Sequence, residues 1–109
     1  MRLDITWRNT EPSEFITERA DRKIAKVATH LREPMEAHLV VRQEKHRFDV
    51  ELTLNAPGFH NVVARDTSDD IVVSLDAVMA KLERTARRHR ERLLDSERQP
   101  TEEVPIPAR

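Results

Sequence analysis

From Phe48 to Leu54 the chain reads FDVELTL, with Phe48, Val50, Leu52 and Leu54 apolar and Asp49, Glu51 and Thr53 polar between them. A period of two puts one set on each face of a strand. A strand with a single apolar face needs neighbours on its edges and a layer to cover that face, so this pattern demands a sheet packed under something else.

The flanking segments supply the neighbours. Asn55-Ala56-Pro57-Gly58 reads as a turn, because Pro57 presets one dihedral and Gly58, the only glycine in the chain, accepts a positive φ. A strand from about Phe59 to Arg65 is expected after it. On the other side Glu44 to Arg47 is predicted as a hairpin turn, preceded by a short β-branched strand at Leu39 to Val41. Near the start, Leu3, Ile5 and Trp7 alternate with Arg2, Asp4 and Thr6, which predicts a first strand over residues 2–7.

Two helical patterns supply the cover. Ser13 is placed to cap a helix with Glu14 in its first turn, and Ile16, Ala20, Ile24, Val27 and Leu31 then recur at steps of three and four up to a stop before Pro34. In the second, Thr67 or Ser68 is expected to cap, with Asp69 and Asp70 in the first turn. Ile71, Leu75, Val78, Leu82, Ala86 and Leu93 form its buried side to about Leu94. The following SERQPTEEVPIPAR, with Pro100, Pro105 and Pro107, is predicted to be a mobile tail over residues 95–109. The element order β-α-β-β-β-α predicts one α+β domain over residues 1–94: a sandwich with a four-stranded, mainly antiparallel sheet and two helices on one face.

Composition narrows the function. At 109 residues the chain suits one domain, and 19 Lys+Arg against 20 Asp+Glu leave a net charge of -1, so any attraction to an anion must come from uneven placement. With no cysteine there is no disulfide, thiolate metal site or Cys nucleophile. The histidines, His30, His38, His46, His60 and His89, form no close pair and lack the i,i+4 spacing of a zinc helix, so no metal is expected. Asp69, Asp70 and Asp76 resemble a carboxylate set, but capping and the helix dipole account for the first two. No Gly-rich phosphate loop or nucleophile elbow accompanies them, so no enzyme, cofactor or small-molecule substrate is expected. No segment approaches the roughly 20 apolar residues of a membrane span, and MRLDITWRNT lacks the shape of an export signal; a soluble cytoplasmic protein with no membrane partner is expected.

The placement of charge is uneven. With Lys81 at the origin of a helical wheel, Arg84, Arg88 and Arg92 fall at about 300°, 340° and 20°, whereas the acids Asp76, Glu83 and Glu91 fall at about 200° to 280°. With Arg19 at the origin, Arg22, Lys23, Lys26 and His30 fall at about 300°, 40°, 340° and 20°, and Glu14, Glu18 and Asp21 at about 200° to 260°. One charged stripe is most simply a solvated face. Two helices that sort bases from acids in the same sense point to an anionic partner, because solvation alone favours interleaved opposite charges. Guanidinium groups suit phosphate, and the scarcity of aromatics, Trp7, Phe15, Phe48 and Phe59, disfavours base stacking; folded RNA read by shape and charge is the expected partner.

The element order, LDIT near the start, ADRKIAKV in the first helix, VVRQEK in the strand pair, and the Asp70 to Asp76 spacing followed by KLERTARRHRERL together resemble the ribosome hibernation-promoting factor and ribosome-associated inhibitor family. The resemblance covers about residues 1 to 94. It implies a translation inhibitor of stationary phase or stress that binds the small ribosomal subunit at the decoding region, contacts rRNA through helix bases and so excludes mRNA and tRNA. The family's basic positions fall on Lys23, Lys26, Lys81, Arg84, Arg88, Arg90 and Arg92; Arg19 and Arg22 rest on the wheel. Val72 stands where family members often carry an aromatic. Long members carry a second, dimerising domain, and this chain resembles a short form. Two alternatives are a double-stranded-RNA-binding-like module, against which the strand before the first helix argues, and a regulatory domain binding an acidic protein.

Overall fold

The computed structural model describes residues 1–103. Six elements follow in order: β1 (Arg2–Arg8), α1 (Glu14–Ala28), β2 (Glu36–Glu44), β3 (Arg47–Ala56), β4 (Phe59–Ser68) and α2 (Ile71–Glu103). The strands lie in the sheet order β1-β2-β3-β4. β1 pairs parallel with β2, across the α1 crossover, and the other two pairings are antiparallel. The expected α+β architecture with a mainly antiparallel sheet is present.

The alternation that required a layered sheet is the centre of the core. Val50, Leu52 and Leu54 of β3 pair with Val41, Leu39 and Ala37 of β2, and all six are buried. Ala20, Ile24 and Val27 of α1 and Leu75, Val78, Leu82 and Ala86 of α2 complete the same cluster. On the reverse face Glu36, His38 and Arg42 of β2 are exposed, so both helices cover one side. Burying each large aliphatic side chain contributes about 1.5–3 kcal/mol, which makes this shared face the main source of stability.

The strands extend beyond the runs that the sequence pattern marks. β2 begins at Glu36 and not at Leu39, and β4 continues to Ser68. Of the added residues, Ala37 is buried under the helices, Asp66 and Ser68 meet Lys81 and Ser74 of α2, and Glu36, His38 and Arg42 lie on the open side, so no long apolar alternation marks them. The tight turn between β2 and β3 holds Lys45 at φ +58°, and the turn after β3 sets Pro57 before Gly58 at φ +73°, as a type II turn requires.

The helix ends carry three corrections. Ser13 caps α1 as expected, its Oγ accepting the Ile16 N–H at 3.2 Å. Leu31, however, is outside the helix: the amides of Thr29, His30 and Leu31 donate to the carbonyls of Lys26, Val27 and Ala28, tightening the chain into three-residue steps. Leu31 still packs on the core from that turn.

At α2 the cap is Asp70, whose Oδ1 accepts the Val72 N–H at 2.9 Å, in place of Thr67 or Ser68. Ser68 instead accepts the Asp70 N–H and lies 2.6 Å from the hydroxyl of the fully buried Ser74. That contact ties the first turn of α2 to the end of β4.

Finally, α2 runs to Glu103 where the sequence pattern ends near Leu94. Asp95 to Gln99 contain no Gly or Pro to stop it, and the helix continues through Pro100, which has no N–H to give to the preceding turn. Leu93, assigned to the buried side, is 41% exposed. The rest of the expected tail, residues 104–109, lies outside the described residues. Replacing Leu52 by Ala at the middle of this core is expected to lower the unfolding free energy by about 2–5 kcal/mol, measured by urea denaturation.

Candidate nucleic-acid interface

α1 and α2 share one apolar sheet face, so their flanks must meet. The Arg19 guanidinium donates two hydrogen bonds to Asp76, Nε to Oδ1 at 2.8 Å and Nη2 to Oδ2 at 2.7 Å. Lys23 Nζ stands 3.8 Å from the same carboxylate, and further along His30 Nε2 lies 3.7 Å from Glu83 Oε2. Partners advance in the same direction on both helices, from 19 to 30 and from 76 to 83, so the helices run side by side in parallel. The basic stripe of α1 therefore faces the acidic flank of α2.

The basic stripe of α2 lies on its other flank, beside β4. There Lys81 Nζ donates to the Arg65 carbonyl at 2.9 Å and sits 3.9 Å from Asp66 Oδ1. Lys81, Arg84 and Arg88 line one wall of a groove of about 390 Å³, and Val62 to Arg65 line the other. The two stripes thus flank α2 on opposite sides and do not form one continuous row.

This arrangement sorts the predicted contact residues. Arg19, Lys23 and Lys81 are engaged with protein acceptors. Arg22, Lys26, Arg84, Arg88, Arg90 and Arg92 are exposed, and among the described residues none has a carboxylate within salt-bridge distance. Arg87, which the wheel set aside from the stripe, is equally exposed and unpaired among the described residues, on the outer face of α2. Its signal was available: at about 240° it points away from the buried residues. Arg90 is separated from Lys81, Arg84 and Arg88, because it lines a different hollow together with Arg32, His30, Leu31 and His89.

The acids are restrained by the same pairs. The Arg19 hydrogen bond holds the Asp76 carboxyl below its ordinary range, against a smaller opposing effect of desolvation. On the outer sheet face, the Arg65 guanidinium, 2.9 Å from Oδ2, does the same for Asp49. Carboxylates held by internal partners compete less for the cations a polyanion needs. No helix among the described residues is long and apolar enough to cross a membrane.

The fold, a mixed four-stranded sheet under two parallel helices, is shared with solved structures. The crystal structure of the Thermus thermophilus Protein Y N-terminal domain matches with a TM-score of 0.71 at 22% identity, covering 81% of this chain and 94% of that one. A ribosomal subunit interface protein from Coxiella burnetii matches at 0.70 and 20% identity, covering 84% and 99%. In sequence, the Pseudomonas putida ribosome hibernation promoting factor is 28% identical over 92 residues, 84% of this chain and 89% of its own length. The ribosome-associated factor Y of Haemophilus influenzae is 30% identical over 105 residues, 88% and 97%. The pattern of the sigma 54 modulation protein / S30EA ribosomal protein family matches residues 3–94, and the chain belongs to that family.

The lowered carboxyls set a pH dependence. A carboxyl that binds protons less well in the folded state stabilises the fold fully above its unfolded value, about 3.9 for Asp, and ceases to do so as the pH falls through its folded value. The thermal midpoint, followed by circular dichroism, is therefore expected to drop as the pH is lowered below about 4, and to drop less in Asp76→Asn and Asp49→Asn proteins. An equal drop in all three would show that neither pair contributes.

Proposed function

We propose that this protein is a ribosome-binding hibernation factor that silences the small subunit by occupancy. Its helix bases engage rRNA phosphates in the decoding region, taking up space that mRNA and tRNA require, in stationary phase or under stress. The carrying observation is that Arg84, Arg87 and Arg88 of α2 and Arg22 and Lys26 of α1 stand exposed without carboxylate partners among the described residues, on the scaffold of this family. The names of the relatives, hibernation factors and a ribosome-associated factor, support the same reading.

The chemistry is that of charge and shape. From Lys81 to Arg92 the helix rises about 16 Å, enough to span several phosphates of one strand. A guanidinium offers paired donors to phosphate oxygens and stays charged at any physiological pH. Lys81 and Lys23 reach phosphate by exchanging their protein acceptors, at a lower net gain than the free arginines. Arg90 and Arg92 extend the contact toward the far end of α2. No reacting group is needed, since inhibition comes from excluded volume. β1, parallel to β2 and ahead of α1, sets the topology apart from a double-stranded-RNA-binding module.

Purified ribosomes mixed with the protein and sedimented at increasing salt test this. Binding is expected to weaken steeply, with a log-log slope of roughly -0.7 to -0.9 per phosphate contact. An Arg84→Glu/Arg88→Glu protein that keeps its thermal midpoint is expected to bind at least about tenfold more weakly, since two favourable contacts become repulsive. Failure of the unaltered protein to co-sediment at low salt would sink the reading; undiminished binding of the double variant would move the site elsewhere.

A further inference from the structure

Asp76 sits where charge alone argues against it, a carboxylate between two basic stripes on a surface built for a polyanion. Its contacts give it a different role. It receives both Arg19 donors in a bidentate pair, with Lys23 close by, in a seam where Arg19 is 27% and Asp76 33% exposed. A bidentate guanidinium-carboxylate pair is directional as well as attractive, and it fixes the rotation of the two groups about each other. On α1, Arg22 and Lys26 lie three and seven residues beyond Arg19 on the same stripe, so the rotation that seats Arg19 on Asp76 also decides where they emerge. On α2 the same constraint applies to Arg84, Arg87 and Arg88.

We propose that the Arg19–Asp76 pair is a positioning clamp, not a phosphate contact: it sets the two outward basic faces at the relative orientation in which a folded RNA meets both. This inference rests on the RNA-binding reading above and removes Arg19 from the contact set. Arg19 and Asp76 then act through Arg22, Lys26, Arg84, Arg87 and Arg88. The sign of the effect separates the two roles. If Asp76 matters only through its charge, removing it makes the surface more positive and tightens binding; if it positions the helices, removing it weakens binding.

The test uses the full chain and purified small ribosomal subunits, with the dissociation constant measured at fixed salt and again across a salt series. Asp76→Asn is expected to bind about tenfold more weakly in spite of its extra positive charge. Its salt slope is expected to fall in magnitude by roughly 1.4–1.8, the loss of the Arg22 and Lys26 phosphate contacts. A variant that is only less stable but still folded keeps the original slope.

The exchange Arg19→Asp/Asp76→Arg restores the pair with net charge unchanged, and its new carboxylate lies one helical turn from Lys23, which it can also engage. Its affinity and slope are expected to return to within about threefold of the unaltered protein. Equal or tighter binding by Asp76→Asn overturns the clamp. So does an exchange variant that keeps the normal thermal midpoint and stays weak, because Arg19 is then itself a contact. Should Asp76→Asn fail to fold, the exchange variant decides alone. If the unaltered protein does not bind the subunit, the RNA-binding reading falls and the clamp with it, whereas normal binding with indifferent variants removes only the clamp.

Discussion

Two helices have to share one apolar face of a four-stranded sheet, and most of the molecule follows from that constraint. The face is set by Leu39 and Val41 on β2 and Val50, Leu52 and Leu54 on β3, all with no solvent exposure. A face this narrow seats α1 and α2 against each other as well as against the strands. Each helix then has one flank in a seam, and the chemistry of the seam must be complementary. The basic flank of α1 meets Asp76 and Glu83 on α2. The charge sorting that leaves arginines outside is the same sorting that joins the helices inside.

Much of this was legible in the chain. The strand at Phe48–Leu54, the Pro57-Gly58 turn, the Ser13 cap and both amphipathic helices follow from local pattern, because burial on one side of a regular element leaves a periodic imprint. Where burial leaves none, the pattern falls silent: the polar ends of β2 and β4 are held by pairing to neighbours, and pairing partners are distant in sequence. The α2 cap shifted to Asp70 because β4 runs on to Ser68, and that length depends on register with β3.

The basic positions divide for the same reason. A wheel drawn for one helix shows which residues share a flank, but not what that flank faces. Arg19 and Arg22 are both members of the α1 stripe, yet Arg19 turns into the seam and Arg22 faces solvent. Arg90 and Arg84 are six residues apart on one helix and border different hollows. Whether the two stripes merge is a property of helix pairing, and only the assembled sandwich answers it. Charge pairing divides along the same lines: Asp76, Asp49 and Asp66 each have a neighbouring cation, whereas among the described residues Arg22, Arg84, Arg87 and Arg88 have no carboxylate within salt-bridge distance.

Lys81 has a further consequence through its bond to the Arg65 carbonyl. β4 is a border strand, and a border strand offers unpaired backbone groups that invite another chain to add itself to the sheet. Lys81 takes up one of those acceptors and sets an ammonium across the middle of the border, with Arg84 and Arg88 beyond it along the same groove. An approaching strand would have to displace the first cation and desolvate the others. The same three cations therefore discourage the protein from joining sheet to sheet with its own copies.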